Sequence, residues 1–166
     1  MANYNRRAEG RRPPHRGRTD RETNPVTGEI RDEESAGIAV RAALTGHLMI
    51  STLHAGSCAG VWERLQVLCP DHAAALSALE LIVNQRLLRK VCRACAGTGC
   101  ATCLHTGYKG RAPVAEWVRV DASARRGIRE RGSAAIEPSK PLEVSARELA
   151  ASGLTNNAEL ERCFAR

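Results

Sequence analysis

The chain has 166 residues, 43% of them hydrophobic and 26% charged, with a formal net charge of +7; these values suit an ordinary globular protein and exclude wholesale disorder. Only Tyr4, Trp62, Tyr108, Trp117 and Phe164 are aromatic, so the core must be aliphatic and there is no stacking platform for single-stranded nucleic acid. No apolar run approaches the roughly 18 to 20 residues of a membrane span and no signal-peptide core opens the chain, so it reads as cytosolic, with seven cysteines serving metal or standing free.

Residues 1–23 carry seven arginines against three acids, a net +4, whereas residues 24–166 carry 18 basic and 15 acidic side chains. That first segment has too little apolar surface to offset its ordering entropy and is expected to be a disordered basic tail. Nucleic acid is an unfavoured partner, because most of the excess charge lies in this tail. Val26–Ile30 reads as a short strand. Asp32 is a good N-cap for a helix whose apolar face is Ala36, Ala39, Val40, Ala43 and Leu44, with Gly46 ending it. His47–Leu53 is apolar on both alternations, the pattern of a parallel strand covered on both faces. Ser57 caps a helix to Leu68, and Cys69-Pro70-Asp71 breaks it. A longer helix is expected from about His72 to Lys90, with Ala75, Leu76, Leu79, Ile82, Val83 and Leu87 inside. This order implies part of an α/β layered architecture. Arg111–Val120 reads as a strand, and Asp121 onward as helical pieces broken by Gly and Pro.

Cys92, Cys95, Cys100 and Cys103 form C-x2-C-x4-C-x2-C. Four thiolates at ~2.3 Å satisfy tetrahedral Zn²⁺ with no open position, so a closed structural site is expected. Gly97 and Gly99 supply the positive-φ turns needed to double back. Four-cysteine ligation does not by itself exclude an iron–sulfur cluster. Cys58, Cys69 and Cys163 lack metal spacing.

Gly28-Glu29-Ile30-Arg31-Asp32-Glu33-Glu34, then Ala39 to His47, then Ser51-Thr52-Leu53-His54 resemble the C-terminal half of the type II secretion and type IV pilus assembly ATPases. The cysteines running into Thr106-Gly107-Tyr108-Lys109-Gly110-Arg111 resemble the zinc knob of the secretion E branch, and Gly153-Leu154-Thr155 resembles the family's C-terminal end. The resemblance implies the C-terminal part of a RecA-like ATPase domain at 24–91, a zinc knob at 92–110 and a helical subdomain at 111–166. It implies Mg²⁺ and ATP as cofactors, with Glu29 acting on Mg²⁺ or water and His54 on the γ-phosphate. Arg31 and Asp32 join Glu29 as cofactor-binding candidates, with pairing and helix capping as their alternative roles. His47 is carried over as a third catalytic candidate. It lies about 23 Å from His54 along an extended strand, which points instead to an interface or packing role. Inner-membrane platform proteins, a hexamer and a place at the cytoplasmic face of the inner membrane are implied likewise.

The phosphate-cradling motif G-x4-G-K-[ST] does not occur among the 166 residues. The expectation is therefore a truncated or split motor that is inactive alone. The alternative is a zinc-stabilised interaction module without catalysis.

Overall fold

Asp32 divides the first strand from the first helix. In the computed structural model, which describes residues 26–165, β1 spans Val26–Glu29 and α1 spans Glu33–Leu44. The disorder expected for residues 1–23 falls outside the described residues. The Asp32 carboxylate accepts the Ser35 N–H at 2.8 Å, and Ser35 closes a reciprocal capping box. Glu33 and Glu34 complement the positive end of the helix dipole. Thr45 is the C-cap, and Gly46 follows at φ +94°, the left-handed exit expected of it.

The strand β2, Ile50–Thr52, runs parallel to β1 with Glu29 opposite Thr52. Expectation and structure part here. The seven-residue strand covered on both faces is three residues long, and Leu48 and Ile50 are more than half exposed. Among the described residues β1 is the one strand paired with β2.

The helix α2, Cys58–Leu68, is capped by Ser57, and α3, His72–Ala78, by Asp71. The expected helix to Lys90 is overturned: α3 ends at Ala78, and Leu81–Val91 is a strand, β3. It pairs antiparallel with β4, Tyr108–Arg119, from Leu81 opposite Arg119 to Val91 opposite Tyr108. The sequence Leu-Ile-Val-Asn-Gln-Arg-Leu-Leu fits both periods, and pairing decides between them. Ile82, Asn84 and Leu88 point inward, while Leu81, Val83 and Leu87 are about half exposed. Arg125 caps the end of α3 by donating to the Leu76 and Leu79 carbonyls.

Three more helices complete the chain: α4, Ala122–Arg131; α5, Leu142–Ala151; and α6, Asn157–Phe164. The buried side chains form two clusters. One gathers Val40, Trp62, Leu65, Leu76, Ile82, Val120 and Ile128 between α1, α2, α3 and the start of the hairpin. The other joins Leu88 and Val114 to Leu142 and Ala146 of α5. The β3–β4 hairpin serves both, and the four-cysteine segment is the loop at its tip. That loop therefore follows a strand, not a helix.

Candidate functional site

Because β1 and β2 are parallel, their carboxyl ends lie side by side. Glu29 is the last residue of β1, and His54 follows β2 by two residues. The Ile30 N–H donates to the Thr52 carbonyl at 2.8 Å, and the Thr52 hydroxyl to the Gly28 carbonyl at 2.9 Å, so the two ends are tied together. His54 Nε2 then stands 3.1 Å from Glu29 Oε1. Arg31 reaches the other oxygen, with Nε at 2.7 Å. Glu29 is largely shielded, at 22% side-chain exposure, whereas His54 is 94% exposed. The Arg31 hydrogen bond holds the Glu29 carboxyl below its ordinary range against a smaller desolvation effect. An ionised carboxylate and an exposed imidazole thus share one strand end, where open α/β sheets bind ligands.

Asp32 and His47 are placed elsewhere. The Asp32 carboxylate is committed to the α1 cap, and the Ser35 backbone N–H lowers its pKa. His47 Nδ1 lies 3.2 Å from both the Ala42 carbonyl and the Thr45 hydroxyl, at the end of α1 and before β2. The structure therefore brings Glu29, Arg31 and His54 together but leaves Asp32 and His47 outside the group.

A cavity of about 540 Å³ opens beside this strand end. Consecutive residues Ser51 to Ala55 line one side and consecutive residues Leu81 to Gln85 the other. Ser51 and Thr52 belong to β2, with Leu53 to Ala55 following it, and Leu81 to Gln85 belong to β3; consecutive residues of a strand line a cavity together where its edge faces it. Ser51 Oγ, one of the lining residues, is buried without a hydrogen-bond partner.

The second group is the hairpin tip. The sulfurs of Cys92, Cys95, Cys100 and Cys103 all lie within 4.8 Å of one another. Cys95–Cys103 and Cys100–Cys103 are 3.8 Å apart and Cys92–Cys100 is 4.0 Å. A tetrahedron with metal–sulfur bonds of ~2.3 Å has edges of about 3.8 Å, so the donor set fits Zn²⁺. Backbone N–H groups point at the sulfurs, from Gly99 to Cys95 and from Cys100 to Cys103, both at 3.2 Å. Burial opposes ionisation of Cys103, but the N–H groups of Cys100 and Gly107 and the neighbouring sulfurs outweigh it and bring the thiol down to about 6. Gly97 and Gly99 have φ of +91° and +99°, the turns expected from sequence. At Gly107 a Cβ would meet the Gly97 carbonyl oxygen at 2.4 Å. His105 contributes backbone to the loop and is not part of the sulfur group.

Sequence reasoning missed Asn84 and Glu116, buried polar partners across the hairpin. The alternation of Ile82, Asn84, Arg86 and Leu88 was their signal, hidden by the helical reading.

A sequence profile described as Type II/IV secretion system protein matches residues 24–162. A protein transport protein HofB homolog of Haemophilus influenzae is 38% identical over 138 residues, covering 82% of this chain and 28% of that protein. Type II secretion system protein E of Klebsiella pneumoniae is 35% identical, with 82% and 33% covered. The type IV pilus assembly ATPase PilB of Thermus thermophilus is 36% identical, with 62% and 15% covered. The chain thus spans a third or less of these relatives. Among solved structures, the ATPase DotB of Legionella pneumophila superposes with a TM-score of 0.66 at 20% identity, covering 84% of this chain and 38% of that one. The Yersinia pseudotuberculosis DotB gives 0.62 at 21%, with 82% and 35% covered. At these identities the likeness is one of fold.

Proposed function

Since the chain belongs to the type II/IV secretion system protein family, we propose that it is the C-terminal part of an ATP-hydrolysing secretion or pilus motor, inactive without a phosphate-cradling segment. The 3.1 Å approach of His54 to Glu29 at a shared strand end carries this reading. Glu29 is the carboxylate for Mg²⁺ or for orienting water, and exposed His54 can donate to a phosphate oxygen. Arg31 sits on the Glu29 carboxylate, so it must swing away when that oxygen is needed; its 77% exposure permits this. His47 serves the α1–β2 connection, and Asp32 shapes the site by starting α1. ATP supplies the transferable phosphate, and the edges of β2 and β3 flanking the cavity are where a phosphate-binding strand would complete the sheet. Inner-membrane platform proteins, a hexameric ring and a cytoplasmic position at the inner membrane belong to the same reading. In support, no helix among the described residues is long and apolar enough to cross a membrane.

Cys92, Cys95, Cys100 and Cys103 hold a structural Zn²⁺ in this reading, a closed site that organises the tip and takes no part in hydrolysis. One observation favours a second, docking role for that tip: Leu104, between the last cysteine and the return strand, is 82% exposed.

The test is hydrolysis of Mg-ATP by the chain alone and mixed with a separately produced upstream portion of a relative bearing G-x4-G-K-[ST]. Turnover is expected only in the mixture, and its loss in Glu29→Gln assigns the carboxylate. Turnover by the chain alone, abolished by Glu29→Gln, would overturn the claim of inactivity.

A further inference from the structure

The Glu116 carboxylate is buried on β4, with the residue 8% exposed, and every partner it has is neutral. Oε1 accepts the Cys58 N–H at 3.2 Å and the Asn84 side-chain amide at 2.9 Å, and Oε2 accepts the Leu142 N–H at 3.0 Å. Cys58 is the first residue of α2 and Leu142 the first of α5. One carboxylate thus meets the positive ends of two helices, each packed in a different core. Burying a charge is costly unless its lone pairs are used, and here they are used by those helix starts.

Asn84 lies directly opposite Glu116 in the hairpin and is equally buried. Its amide also donates to the Gly56 carbonyl at 3.2 Å. Gly56 belongs to the short loop Ala55-Gly56-Ser57 between His54 and α2. His54 directly precedes this loop, so a shift of the loop moves the backbone that presents its ring to Glu29.

We propose that Asn84 and Glu116 are positioning residues that set the loop following His54 and couple it to the start of α5. Asn84 holds the loop at Gly56, Glu116 holds the first turn of α2, and the same carboxylate holds Leu142. A displacement at His54 then reaches the C-terminal helices through two side chains facing each other across one hairpin. The functional weight of this link rests on the reading of His54 given above, but its physical test does not.

That test is nuclear magnetic resonance of the full chain, isotope-labelled and free of nucleotide. In Asn84→Ala the His54 imidazole resonances should move and the amides of residues 56–58 exchange about tenfold faster, as expected for one lost hydrogen bond. His72, whose ring meets the Gln66 carbonyl, is the internal control and should not move. Glu116→Gln keeps an oxygen for Cys58 and Asn84 but turns an amide toward Leu142. There the Leu142 amide should exchange about tenfold faster, with a smaller shift at His54. If Asn84→Ala does not fold, Asn84→Ser is read by the same criteria. Unchanged His54 resonances in the Asn84 variant overturn the positioning role. Faster exchange at Leu142 with no response at His54 in Glu116→Gln overturns the coupling. Absence of any His54 response to phosphate in the assembled motor would overturn the functional reading and leave these measurements standing.

Discussion

Glu159 shows how a single side chain can carry what no local pattern announces. It has no exposed surface, yet its carboxylate accepts from the Arg89 backbone at 2.9 Å, from Arg89 Nε at 2.7 Å and from Arg162 Nε at 2.7 Å. The Arg162 hydrogen bonds, with those of Arg89, hold its pKa far below the ordinary range despite burial. Glu159→Gln should lower the unfolding free energy by about 2 kcal/mol in urea titrations; the two arginines are partly exposed and can turn to water, so the cost stays below that of a fully buried pair. A lowered native pKa stabilises the fold fully above the unfolded value of about 4.3, and the effect fades as pH falls through the native value. The difference between parent and variant should therefore be flat from pH 7 to about 5 and shrink on further acidification. Gly107→Ala should be severe for a different reason, since its φ of +76° and the Gly97 carbonyl leave no room for a Cβ. A cost of about 1 to 3 kcal/mol is expected, read as weakened metal retention at the tip. Caps such as Asp32 and Ser57 were legible because donor and acceptor sit within three residues of each other. Glu159 was not, because Arg89 lies 70 residues away.

Among the elements, legibility followed the same rule of distance. Helices α1 and α2 carry their own start signals and a single clear period, and the sequence placed both. β3 carries two periods at once, and its strand character comes from β4, whose residues arrive only after the four-cysteine loop. The four-cysteine loop is local again: spacing and glycines announce it. Its mechanical setting is not local, because Val91 also donates to the Leu154 carbonyl, Thr155 donates to the Arg89 carbonyl, and the Tyr108 hydroxyl donates to Asn156. The segment Gly153-Leu154-Thr155 thus braces the hairpin just below the tip. Purified chain should carry one zinc by elemental analysis, and Cys103→Ser should lose it. Hydrogen exchange in that variant should rise through residues 93–106 while residues 82–88, paired along β4, keep their protection. Loss of protection throughout the hairpin would mean that the metal holds the strands, contrary to the bracing described.

At the scale of the whole molecule, the two cores and the hairpin shared between them explain why one carboxylate, Glu116, can touch both. The parallel pair β1–β2 and the antiparallel pair β3–β4 stand as separate two-stranded sheets among the described residues. In the proposed reading Glu29 and His54 serve a phosphate that an upstream segment cradles, so isothermal titration of Mg-ATP into the chain alone should show no saturable heat. The open cavity between the sheets has a further consequence, for behaviour in the test tube. Strand edges that meet no neighbour invite the edges of other molecules. Here the +7 net charge opposes such encounters at a distance, and added salt shortens that repulsion to about 10 Å at 0.1 M. Light scattering of concentrated chain should therefore grow with ionic strength, the reverse of a protein held in aggregates by its charges. Low-salt buffer should then be the condition in which scattering from this chain is lowest.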